Sequence, residues 1–133
     1  MLRNKQYTLQ FPPEHSLEDG APVRSEESLS DGRLTIYYAH KTQTILKSGA
    51  KRDAYKSGYQ VFYFDNGDVR QRFPCGKTVY FFAETETTET EFPDGLKVLL
   101  FKDGQLEQHK SDGSVQIYFK DGTQKLIPAA ETN

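Results

Sequence analysis

The sequence predicts an all-β fold, a single-layer antiparallel β-meander of about ten to eleven short strands with both faces exposed. Glycines recur in nine-residue steps, from Gly49 to Gly76 and again from Gly95 to Gly122. Most follow a turn-forming partner: Asp31, Asn66, Asp94, Asp103, Asp112 and Asp121, with Ser48 and Ser57 as weaker versions. Between the turns, aromatic and β-branched residues alternate with polar ones, which suits a pleated strand with period two.

Each strand can be justified in order. Tyr59–Phe64, Thr78–Phe82, Lys97–Phe101 and Val115–Phe119 are the strongly strand-like segments, and more polar strands lie between them. Asp-Gly and Asn-Gly favour two-residue hairpin loops, so nine residues divide into two of turn and seven of strand. Seven residues are too few for a crossover helix, so sequence neighbours pair in space. Two-residue loops also assign faces. On that count Phe62, Phe64, Val69, Phe73, Tyr80 and Phe82 share one face. The gap from Gly76 to Gly95 is nineteen, two steps plus one, and that extra residue flips the count once. Val98, Leu100, Glu107, His109 and Tyr118 then join the same face. The other face receives Tyr59, Val61, Tyr63, Val79, Phe81, Phe92, Leu99, Phe101, Val115, Ile117 and Phe119. Apolar stripes on both sides fit an open sheet, though a curled sheet or barrel satisfies the same pattern.

The glycine spacing does not reach the N-terminus. Residues 1–29 read as an extended or flexible arm, in which Lys5–Phe11 alternates enough to add a strand. Residues 30–127 form the sheet domain, and 128–133 read as a disordered tail.

Bulk properties narrow the function. The chain has 133 residues and a formal net charge of −2, which gives no electrostatic footprint for nucleic acid. Mean hydropathy is −0.74 and no stretch suits a membrane span or signal peptide, so a cytosolic or cytoskeletal setting is expected. His15, His40 and His109 are far apart and share no metal-ligand spacing, and the single Cys75 sits at a turn with no base beside it. No nucleophile, base and oxyanion donor come together. The expectation is a non-catalytic binding module with no cofactor and no metal.

One stretch carries a family resemblance. Val79–Gly95 reads V-Y-F-F-A-E-x-x-T-T-x-T-x-F-P-D-G, and Gly104-Gln105-Leu106-Glu107-Gln108-His109 follows it. Over about Ser30 to Leu126 the chain resembles the C-terminal (G-box) domain of the T-complex protein 10 family, the domain that ends CPAP-type centriole-assembly factors. The resemblance implies a single-layer sheet acting in centriole, basal-body or cilium assembly, and a proline-rich segment of a STIL-type partner as ligand. It carries peptide contact onto Phe64, Tyr80 and Glu107. Phe62 and Phe82 extend the same aromatic stripe and complete the candidate set. It also implies end-to-end association through edge strands. The long coiled coils and tubulin-binding segments of CPAP-type proteins are not in this sequence. The chain is therefore an excised domain or a small stand-alone member, with Met1 favouring the second. A stand-alone member suggests an alternative role, as a structural component of the axoneme that stacks by its edges without a STIL-type ligand. The aromatic stripe also fits a purely structural role, in which each cross-strand pair stiffens the sheet by about 0.2–1 kcal/mol. Glu107 equally fits a solvated carboxylate.

Overall fold

The computed structural model describes residues 5–131. Twelve strands form one open sheet in strict sequence order, every neighbour antiparallel. They are Arg24–Glu27 (β1), Leu34–Tyr37 (β2), Lys41–Ile45 (β3), Lys51–Tyr55 (β4), Gln60–Tyr63 (β5), Val69–Arg72 (β6), Thr78–Phe82 (β7), Thr87–Glu91 (β8), Lys97–Leu100 (β9), Leu106–His109 (β10), Val115–Tyr118 (β11) and Gln124–Ile127 (β12). The meander is thus as expected, with β1 drawn from the segment before residue 30.

The turns differ from the expectation in one respect. At the Asn66-Gly67 turn, Phe64 N–H donates to the Asp68 carbonyl at 3.0 Å, and Gly67 N–H donates to the Phe64 carbonyl at 3.1 Å. That leaves a three-residue loop with glycine at its third position, where φ is +94°. This is a type I turn closed by a glycine bulge. The residue before the glycine caps it: the Asn66 side-chain oxygen accepts the Asp68 N–H at 2.9 Å, and Asp94, Asp103, Asp112 and Asp121 do the same in their own turns.

The loop length corrects the face count. Across a three-residue loop odd-numbered residues face odd-numbered ones, as Tyr63 faces Val69 and Val69 faces Phe81. A two-residue loop would swap parity at every hairpin. The two counts agree on alternate strands and disagree on those between. Phe62, Phe64, Tyr80, Phe82, Glu107 and His109 therefore do share a face. Val69, Phe73, Val98, Leu100 and Tyr118 do not, whereas Leu99, Val115 and Ile117 do. The single extra residue falls in the β7–β8 loop. There Phe82 faces Thr87 across four residues, and Glu86 takes a φ of +52°.

The second face is covered by the chain itself. Tyr59, Val61, Gln71, Val98 and Leu106 are each no more than 1% exposed, which a bare single layer does not allow. The segment ahead of β1 crosses the strands and shields them. Tyr7 packs on the Val98, Leu100 and Leu106 cluster. The Gln10 carbonyl accepts the Gln71 Nε2 donor at 2.8 Å. A short 3-10 turn follows at Pro13–Ser16, where Glu14 accepts from Ser57 at 2.7 Å and His15 Nε2 meets the Tyr63 hydroxyl at 2.7 Å. Asp19 then pairs with Lys41 at 2.8 Å. Lys5–Phe11 is thus not an added strand but part of a strap, because Tyr7 finds a ready apolar face to pack against. Thr88 and Thr90 are buried on this face between the β7 and β9 side chains.

Burial has a chemical signature here. Desolvation pushes the Tyr63 phenol up to about 12 and the Tyr59 phenol higher still.

Candidate functional site

With one face shielded, the opposite face carries the free side chains. The register places Arg52, Phe62, Arg70, Tyr80, Glu89, Leu99, Glu107 and Ile117 in a single row across β4–β11. Phe64 and Phe82 stand beside that row at the turn end of their strands.

The four aromatic candidates form a continuous ladder. Phe62 and Phe64 have ring centroids 6.3 Å apart and nearly parallel at 15°. Phe64 and Tyr80 are 5.9 Å apart, and Tyr80 and Phe82 are 4.5 Å apart. Offset rings at these separations attract beyond simple burial. Phe82 is 37% exposed, so the ladder is open to solvent at that end.

Tyr80 is fixed by its hydroxyl, which donates to Asp68 Oδ2 at 2.7 Å. Asp68 Oδ1 accepts the Ala83 N–H at 2.8 Å. The Ala83 N–H and then the Tyr80 hydroxyl hold the Asp68 carboxyl below the usual aspartate range. The same bond raises the Tyr80 phenol.

Glu107 lies on this face but apart from the ladder. Three strand spacings, about 14 Å, separate it from Tyr80, with Glu89 and Leu99 between. Gln105 Nε2 donates to one Glu107 oxygen at 3.0 Å, and His109 Nε2 lies 3.0 Å from the other. The Glu107 carboxylate is therefore aimed rather than free to sweep.

The structure adds residues the sequence reading missed. Arg52 and Arg70 flank Phe62, with guanidinium carbons 5.7 and 5.6 Å from its ring centroid. A shallow pocket opens beside them, lined by Arg33, Leu46, Arg52, Phe62 and Phe64. Correct register arithmetic would have found the arginines. Their sequence context, in the polar strands between the aromatic ones, gave no signal by itself. Cys75 is exposed at its turn. Among the described residues, no group of His, Cys, Asp and Glu is placed to hold a metal ion.

Comparison with known proteins gives the surface a context. No family model matches the chain. The chimpanzee centrosomal P4.1-associated protein is 37% identical over 104 residues, 76% of this chain, and the human protein is 36% identical over 105. The chain spans about 8% of the length of these curated relatives. Among solved structures, the TCP10 domain of Danio rerio CPAP in complex with a peptide of Danio rerio STIL aligns with a TM-score of 0.63 at 31% identity, over 78% of this chain and 54% of that one. The chain belongs to the T-complex protein 10 C-terminal domain family. A second member, the SAS-4 TCP domain of Drosophila melanogaster in complex with a proline-rich motif of Ana2, aligns at 0.72 and 27% identity, over 87% of this chain and 75% of that one. The TCP10 domain thus accounts for the open meander.

Proposed function

We propose that this TCP10 domain is a non-catalytic scaffold module of the centriole or basal body that docks an extended proline-rich segment of a STIL-type partner on its aromatic face. The observation that carries the reading is the ladder of Phe62, Phe64, Tyr80 and Phe82, uncovered while the opposite face is occupied by the chain's own strap. A polyproline II segment is extended before it binds, so it docks its rings at little entropic cost. Two similar domains are known with STIL-type peptides, one of them proline-rich, which supports the ligand class. Glu107 then anchors the far end by accepting a hydrogen bond or pairing a basic side chain.

Calorimetric titration with a proline-rich peptide of a STIL-type protein tests the reading. Tyr80→Ala is expected to weaken binding roughly tenfold, as loss of a central aromatic contact does, with an unchanged circular dichroism spectrum. Equal affinity for the variant and the parent would remove the aromatic face from the reading.

A second reading rests on the sheet edges. All four residues of β1 are exposed, and β12 is exposed along most of its length. Unpaired edges are templates for further strands. End-to-end stacking in an axoneme or centriole wall follows from that geometry. Sedimentation showing only monomer at high concentration argues against it.

A further inference from the structure

The row through the proposed docking surface alternates in a way that the aromatic ladder alone does not explain. Odd strands contribute apolar groups: Phe62 on β5, Tyr80 on β7, Leu99 on β9 and Ile117 on β11. Even strands contribute charges: Arg52 on β4, Arg70 on β6, Glu89 on β8 and Glu107 on β10. Apolar groups thus recur every second strand, about 9.6 Å apart at the usual strand spacing. A polyproline II helix turns once in three residues and rises about 9.3 Å in doing so. The two repeats match to within a few per cent.

The charges are also sorted by sign. The two cations stand on β4 and β6 and the two anions on β8 and β10. Among the described residues no carboxylate forms an ion pair with Arg52 or Arg70, and Arg52 Nε is buried without a hydrogen-bond partner. Asp68, the acidic residue just ahead of Arg70's strand, already accepts from Tyr80 and Ala83. Arg70 and Glu89 lie two strand spacings apart, about 10 Å, with Tyr80 between them. That is about a Debye length in physiological salt, so neither satisfies the other. Lys125, on edge strand β12, ends the negative run.

We propose that this row reads a proline-rich segment in steps of three residues and also reads its charge polarity. Prolines at positions i, i+3 and i+6 rest on Phe62, Tyr80 and Leu99. An acidic side chain near one end meets Arg52 and Arg70, and a basic side chain near the other meets Glu89 and Glu107. The inference rests on the docking surface proposed above and deepens it, by naming the spacing and the charge order of the ligand.

Synthetic peptides with proline at every third position test it by calorimetry. A polyproline II helix docks in either chain direction, so one peptide carries glutamate near its start and lysine near its end and a second has that sequence reversed. Two more carry only glutamate or only lysine at those positions, and a fifth has prolines at every fourth position. One of the two mixed-charge peptides is expected to bind tightest, with each mismatched end costing roughly fivefold and the penalty shrinking in high salt. The fourth-position peptide is expected to bind more weakly than its third-position counterpart. Arg70→Glu is expected to shift preference toward the all-lysine peptide, and Glu89→Lys toward the all-glutamate one. Circular dichroism of both variants confirms that the sheet is intact. Affinities indifferent to charge order and to proline spacing, with Tyr80→Ala still weakening binding roughly tenfold, overturn this inference and leave the docking surface standing. No binding by any of these peptides, nor by the STIL-type peptide, overturns both.

Discussion

The Asp68 carboxylate links two hairpins by accepting the Tyr80 hydroxyl at 2.7 Å on one oxygen and the Ala83 N–H at 2.8 Å on the other. It clamps the end of β7 to the turn before β6. Tyr80 is thereby held between Phe64 and Phe82 instead of swinging into solvent.

That clamp depends on pH. The Asp68 carboxyl is held below its ordinary 3.8 by the Ala83 N–H and the Tyr80 hydroxyl, so its ionised form favours the folded state. Its contribution is present above the ordinary value and is lost as pH falls through the lowered one. Thermal melts in the acid range are expected to show a steeper loss of Tm for the parent than for Asp68→Asn. Parallel curves would remove the clamp.

Gln71 is fully buried, and its Nε2 donates to the Gln10 carbonyl at 2.8 Å and to the Tyr59 hydroxyl at 2.9 Å. It is the polar rivet between strap and sheet. Gln71→Met keeps the volume but strands both acceptors, and is expected to cost about 1–3 kcal/mol in chemical denaturation. Protease cutting within the strap is expected to quicken in parallel, because the lost bond to Gln10 is a strap contact.

Lys41 is 7% exposed and pairs with Asp53 at 3.2 Å and Asp19 at 2.8 Å. Burial pulls its ammonium pKa down, but the bonds to Asp19 and Asp53 outweigh burial and leave it raised. Lys41→Met leaves Asp53, 5% exposed, without its cation, at an expected cost of about 3–5 kcal/mol. The parent's contribution from Lys41 is present below the ordinary lysine value of 10.5 and is lost as pH rises through the raised one. Melts of parent and variant should therefore draw together in strong alkali.

The glycine turns are not equivalent. Gly49 and Gly76 have φ of +99° and +97°, a region costly for any residue with a Cβ. A Cβ on Gly49 meets nothing within 4 Å, whereas one on Gly76 falls 2.9 Å from Pro93 Cγ. Both alanine variants are expected to lose about 1–2 kcal/mol from backbone strain, with Gly76→Ala losing more. Equal losses in urea melts would show that Pro93 gives way freely.

The candidate site was legible in part, for a reason found in the turns. Phe62, Phe64, Tyr80 and Phe82 lie two strands apart, where the count for two-residue loops and the count for three-residue loops agree. Their shared face survived the wrong loop length. Val69, Phe73, Val98, Leu99 and Ile117 lie on strands where the counts disagree, and each was placed on the wrong side. Arg52 and Arg70 are adjacent to Phe62 only across strands, so the composition of their own strands could not single them out.

By itself the sequence determined the strand order, the positions of the turns and the single insertion. All three are local, because a glycine at positive φ next to a capping Asp or Asn closes a hairpin whatever lies beyond it. Only the tertiary structure decided which face is free. Whether Lys5–Phe11 adds a strand at an edge or lies across the sheet depends on contacts sixty residues away, such as Gln10 with Gln71. Apolar area left bare by a single layer draws in that strap, and its choice of side leaves the aromatic ladder of Phe62, Phe64, Tyr80 and Phe82 open on the other.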